Sequence, residues 1–159
     1  MFRLNKLTDY GIVLMTHVAS SPQPSLHSAR ELATGTQLPP ATVGKIVRDL
    51  VEHRLLVSHR GMKGGYTLAR PAEKISVAEI IDALEGPIGF TECNSAPGCC
   101  ELEPSCTVRS NSLVISRALR RTLAEIRLTD LIRPLHFSHV AGDHHRNVVS
   151  ITLSSGRTQ

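Results

Sequence analysis

The chain has 159 residues, 41% of them hydrophobic, which suits one domain with a modest core. Aromatic residues make up only 3% and Trp is absent, which argues against a module that reads RNA through stacked aromatics. Net charge is +4 but unevenly spread: residues 1–75 carry ten Lys/Arg against five Asp/Glu, residues 76–110 one against six, and residues 111–159 seven against three, so three separate jobs are expected.

No secretory signal is expected, because the early apolar run Ile12–Met15 is short and flanked by Asp9 and His17. No stretch approaches the roughly 18 apolar residues of a membrane span. A cytoplasmic protein without a membrane partner is the expectation.

Residues 4–19 read as a helix, with Leu7, Gly11, Leu14 and Val18 on one face and Leu4, Met15 and Ala19 widening it. A loop follows over residues 20–27. Ser28-Ala29-Arg30-Glu31 is a capping box that opens a short helix, which Gly35 is expected to end. After Leu38-Pro39-Pro40 a longer helix runs to about His53, its core face made by Val43, Ile46, Val47, Leu50 and Val51. Leu55–Arg60 and Tyr66–Ala69 read as strands joined by a Gly-rich hairpin loop, Gly61–Gly65. Ser76–Glu79 is a second capping box, and its helix ends at Gly86-Pro87. Every cysteine falls within residues 91–106, read as loop. A helical pattern returns over 109–127 through Leu113, Ile115, Ser116, Leu119, Leu123 and Ile126, and Thr129–Ile132 makes a last turn. The tail beyond Pro134 is polar and expected to be disordered. Its His136, His139, His144 and His145 match no defined metal-site spacing.

The fold class expected is mainly α with a small β-hairpin wing: a winged helix-turn-helix plus a long dimerisation helix. Residues 1–75 form the DNA-binding region and 76–90 a connecting helix. Residues 91–108 form the cysteine loop, 109–133 the long and terminal helices, and 134–159 the tail.

A short helix, a turn, a longer helix and a hairpin follow the winged-helix order, which puts the longer helix in the major groove. Ala41, Thr42 and Lys45 at its start then face base edges, with Arg48 further along. Thr42 can bond a base or touch a thymine methyl, and Lys45 can reach guanine acceptors. Gly44 stands out, because glycine costs about 1 kcal/mol against Ala in a helix interior. Close approach to DNA, or exclusion of some sites by a larger side chain, would account for it. The wing carries His59, Arg60 and Lys63 around Gly61, Gly64 and Gly65, with cations for phosphates and glycine N–H groups to offer them. An ordinary solvated cationic face remains the alternative.

Cys93, Cys99, Cys100 and Cys106 lie within 14 residues. In a reducing compartment such a group reads as soft-metal ligands before disulfides. Zinc sites usually pair ligands two to four residues apart, so the wider spacing leans toward an iron–sulfur cluster. Adventitious thiols or a redox disulfide are the alternative.

These residues resemble the Rrf-type winged-helix regulators, which include iron–sulfur and nitric-oxide sensors. The marks are Arg3–Tyr10, Leu55-Leu56-Val57, Arg60-Gly61, Lys63–Tyr66, Ile75–Ile81, the three-cysteine loop and the helix after it. Leu84–Ile88, Thr91–Cys93 and Cys100–Glu103 resemble the subgroup that controls the SUF cluster-assembly system. The resemblance implies a homodimer paired through the long helix, a double-stranded operator of two half-sites, and repression gated by a 2Fe–2S or 4Fe–4S cluster. It implies Cys93, Cys100 and Cys106 as ligands, with Cys99 the alternative in the middle. Some members carry a His three residues after the last cysteine; here Arg109 stands there and cannot ligate. The fourth ligand is left between Cys99 and Asp9, which aligns with an aspartate supplied across the dimer in nitric-oxide-sensing members; a solvent-facing helix-start aspartate favoured by the macrodipole is the alternative for Asp9. A nitric-oxide or redox sensor of the same fold is the nearest alternative function. A thiol oxidoreductase or electron carrier is a more distant one, since no Cys-x-x-Cys pair is present. No enzyme is expected.

Overall fold

The computed structural model describes residues 4–22, 24–61, 63–91, 98 and 105–132, and all structural statements concern these. In chain order they form α1 (Lys6–Ser20), α2 (Ala29–Thr36), α3 (Pro40–Glu52), β1 (Leu56–His59), β2 (Gly65–Leu68), a 3-10 turn (Ala72–Lys74), α4 (Val77–Glu85), α5 (Arg109–Glu125) and α6 (Leu128–Leu131).

Helix α1 starts at Lys6 because Asn5 caps it, its side chain accepting the Thr8 N–H at 2.9 Å. Leu4, expected inside the helix, lies before the cap and packs on the apolar cluster around α4. Thr8 is fully buried beside Leu14, Met15 and Val18. Gly11 marks the contact with α4: a Cβ there would collide with Leu84 Cδ1.

Both capping boxes form, Ser28 with Glu31 on α2 and Ser76 with Glu79 on α4. The expected stop at Gly35 is corrected. Helix α2 continues through Thr36, and Gln37 turns the chain with a left-handed φ of 57°. Leu38 N–H then bonds the Ala33 carbonyl at 3.1 Å and Gln37 N–H the Thr34 carbonyl at 3.3 Å, a closure usually built on glycine. Gly35 serves packing instead, since a Cβ there would lie 2.6 Å from the His17 ring. Helix α3, with Pro40 at its first position, buries Val43, Ile46, Val47 and Leu50 as the periodicity predicts.

Strands β1 and β2 pair antiparallel, Leu56 opposite Leu68 and His59 opposite Gly65. Gly65, expected in the loop, is the first residue of β2. The hairpin is tied to the body by His27, which exchanges two backbone bonds with Tyr66, at 3.0 and 2.8 Å.

Helix α4 is a wall shared by two cores. Ile80 and Ala83 join the main core of α1–α3 and the hairpin, while Val77, Ala78 and Ile81 meet Ile88, Leu123, Ala124 and Ile126. The end of α5 is stitched to the start of α4: Val77 N–H bonds the Ile126 carbonyl at 2.9 Å and Leu128 N–H the Ile75 carbonyl at 2.8 Å. That stitch ends α5 at Glu125 and buries Leu128 completely.

Candidate nucleic-acid interface

Burying Val43, Ile46, Val47 and Leu50 fixes the rotation of α3, so Ala41, Gly44, Lys45 and Arg48 are exposed together on its opposite side. Thr42 is half-buried in the first turn, its N–H bonded to the Pro39 carbonyl at 2.9 Å. The Arg48 side chain is 74% exposed and lies 4.0 Å from its neighbour Asp49.

The wing presents His59, Arg60, Gly61 and Lys63 to solvent. His59 is steadied across the hairpin, its Nε2 lying 3.0 Å from Thr67 Oγ1. Gly61 takes a φ of 119°, which favours glycine. Gly64 differs from expectation. Its N–H is spent inside the loop on the Gly61 carbonyl at 2.9 Å, and its Cα is crowded by the His59 carbonyl, so it closes the turn rather than offering a donor.

Between the wing and the start of α2 runs an open groove of about 370 Å³ lined by Ser28, Ser58, Arg60, Gly61 and Tyr66 among others. Ser28 and Ser58 were not singled out from sequence. Ser28 shows there only as a helix cap, and no local signal brings Ser58 next to it.

Charge near this surface is held by the two caps. Hydrogen bonds from the Ser28 backbone and hydroxyl hold the Glu31 carboxyl below its ordinary range. Burial pushes Glu79 up, but bonds from the Ser76 backbone and hydroxyl and from Arg70 outweigh it and leave it lowered. The Arg70–Glu79 pair, 2.6 Å apart, fastens the end of the hairpin to α4.

Of the proposed cluster ligands, Cys106 is half-buried at the foot of α5, its carbonyl accepting the Arg109 N–H at 3.4 Å. Cys93, Cys99 and Cys100 lie outside the described residues, as do the tail and its four histidines. Asp9 is exposed on the first turn of α1. That turn adjoins the end of α4, where the Asn5 N–H bonds Glu85 Oε1 and the chain departs toward the cysteines. Among the described residues no three His, Cys, Asp or Glu side chains gather as a metal site. The start of the cysteine segment is anchored by a contact that sequence did not reveal: Phe90 N–H donates to Ser116 Oγ at 2.9 Å.

Among the described residues no helix is long and apolar enough to cross a membrane. The Rrf2 family model, described as an iron-dependent transcriptional regulator, matches residues 4–134. The HTH-type transcriptional regulator NsrR of Oceanobacillus iheyensis is 31% identical over 134 residues, 82% of this chain and 89% of that protein. Among solved structures, CymR, the global cysteine regulator of B. subtilis, superposes with a TM-score of 0.65 at 26% identity, covering 83% of this chain and 97% of that one. IscR of T. potens shares the fold with a TM-score of 0.63 at 24% identity, covering 82% and 86%. The chain therefore belongs to the Rrf2 family of winged-helix transcriptional regulators, and is a DNA-binding regulator rather than an enzyme.

Proposed function

We propose that this regulator is a cytoplasmic homodimer that represses cluster-assembly genes and whose operator affinity is set by an iron–sulfur cluster. The observations that carry the DNA half of this reading are the exposed face of α3 and the exposed cations of the wing. With α3 in the major groove, Thr42 and Lys45 read base edges. Arg48, His59, Arg60 and Lys63 draw in phosphates, and the groove beside Ser28 and Ser58 gives the backbone room. Dimerisation is supported by α5, whose Val114 is 63% exposed and Ile115 41% exposed.

The donor chemistry fits a cluster: four thiols within 14 residues, one of them half-buried where α5 begins. Cys93, Cys100 and Cys106 would hold it, with Cys99 the alternative to Cys100. When bound, a 2Fe–2S or 4Fe–4S group supplies a redox-active centre whose loss or oxidation can be read by the protein. The chain's own part is to fix the segment at both ends against α5, next to the surface through which the dimer forms. The exposure of Asp9 supports a second reading, a nitric-oxide or redox sensor of the same fold in which Asp9 of the partner subunit completes the ligand set. A hard carboxylate on thiolate-bound iron is easily displaced.

The test is anaerobic purification, a visible spectrum, and operator binding of wild type and Cys106→Ser at one salt concentration. Wild type should be coloured. Cys106→Ser should be colourless, folded and dimeric, with a changed operator affinity. Colourless wild type holding stoichiometric zinc would overturn the cluster reading. In the same assay Lys63→Ala should flatten the salt slope by about one unit, and no change would remove the wing from the interface.

A further inference from the structure

We propose that Gly44 is a specificity-determining residue of α3: its bare Cα lets the helix lie against base edges of the operator more closely than any side chain would allow. This rests on the reading of α3 as the helix that enters the major groove.

Glycine weakens a helix interior relative to alanine, so an interior glycine needs a reason. Seven other glycines each have one inside the molecule. A Cβ on Gly11 would meet Leu84, on Gly35 the His17 ring, on Gly64 the His59 carbonyl, and on Gly65 the His27 carbonyl. Gly61, Gly86 and Gly98 have positive φ values of 119°, 89° and 78°. Gly44 has neither. It is helical and exposed, and a Cβ built on it meets nothing within 4 Å. The constraint on this position therefore lies outside the described fold.

What lies around Gly44 says which partner imposes it. Ala41 is one turn before it, Lys45 adjoins it and Arg48 is one turn after it, all exposed on the same side. Two cations follow a position with no bulk, an arrangement that pulls a polyanion in and leaves the helix backbone as the surface of closest approach. A bare Cα there accepts a base edge or a thymine methyl that a longer side chain would hold away. Nonspecific binding does not need that fit, because it is supplied by the cations alone.

The experiment uses the full chain with Gly44→Ala and Gly44→Gln, both better helix formers. Thermal melting is measured, and binding to the operator duplex and to an unrelated duplex at one salt concentration. Both variants should melt higher, by about 4 °C. Operator affinity should fall about tenfold for Ala and further for Gln, while the unrelated duplex is bound as by wild type. Variants that melt higher yet keep wild-type operator affinity would overturn the proposal. So would variants that melt lower, because the glycine would then serve the fold. Lys45→Ala separates the two levels of the argument. If it weakens operator binding while Gly44→Ala does not, only the glycine inference falls. If neither changes it, α3 is not the reading helix and both fall.

Discussion

Helices α3 and α5 are built on opposite plans. Helix α3 buries Val43, Ile46, Val47 and Leu50 and turns Lys45 and Arg48 outward. Helix α5 packs Leu123 and Ala124 on α4 near its end, but its first half buries Ser112 and Ser116 and turns Val114 and Ile115 outward. A helix that hides its apolar side and shows charge is finished within its own chain and presents a surface for a polyanion. One that hides hydroxyls and shows branched aliphatics is unfinished, and calls for apolar cover from a second chain. On the proposed reading, the difference separates a surface suited to DNA from one suited to a second copy of the chain.

The largest test of that contrast is to charge the outward side of α5. Val114→Glu combined with Ile115→Glu should weaken the dimer on the order of a hundredfold or more, since two apolar side chains per subunit lose their cover and charges take their place. Helical content should be unchanged in circular dichroism, because neither side chain contributes to the core. Sedimentation at unchanged dimer mass would show that another surface pairs the subunits.

A smaller effect probes the buried side of the same helix. Ser116 accepts the Phe90 N–H at 2.9 Å and donates to the Ser112 carbonyl at 2.9 Å. Ser116→Ala strands the Phe90 donor and should cost about 1–3 kcal/mol in denaturant unfolding. If stability is unchanged, water replaces the hydroxyl and the contact is not an anchor.

The smallest effect concerns the cap that joins the hairpin to α4. The Glu79 carboxyl titrates lower when folded than when unfolded. Its contribution is therefore fully present above the ordinary carboxylate value and is lost as pH falls through the lower folded value. Glu79→Gln should cost about 1 kcal/mol near neutral pH and flatten the decline in stability between roughly pH 5 and 3. An acid limb identical to that of wild type would assign the decline to other carboxyls, Glu31 first among them.

Much of this fold is legible in the sequence because it is specified locally. Ser28–Glu31 and Ser76–Glu79 announce helix starts, the spacing Val43–Leu50 announces a core face, and the glycines from Gly61 to Gly65 announce a hairpin. The errors fall where a distant residue decides. Gly35 lies inside α2, and what calls for a glycine there is the His17 ring of α1, which occupies the space a side chain would need. Gln37 makes the turn instead, allowing Leu38 to be buried. On α5, where the sequence puts apolar residues on more than one side, Ile115 is outward, and the spacing does not show that Ser112 is inward. The partner of Ser116 is a backbone N–H contributed 26 residues earlier in the chain, which no periodicity encodes. The exposed side chains of α3 were legible because they are what remains once the core face is taken away. The cysteines were legible as chemistry, through thiol number and spacing, and only Cys106 among them has a described position.

The anchoring of Phe90 on Ser116, and of Cys106 at the foot of α5, has a thermodynamic consequence for anything the cysteines bind. Bringing together the ends of a chain segment costs entropy, and that cost rises only slowly with the number of residues enclosed. Here both ends are held on one helix by bonds that involve no ligand, so closure is already met by the folding of α4 against α5. A ligand bound between those ends needs to order only the residues it touches, and its full affinity is left to bias the shape of the segment. Lengthening the segment by a few residues would accordingly change how such a ligand is held well before it changed the stability of the fold.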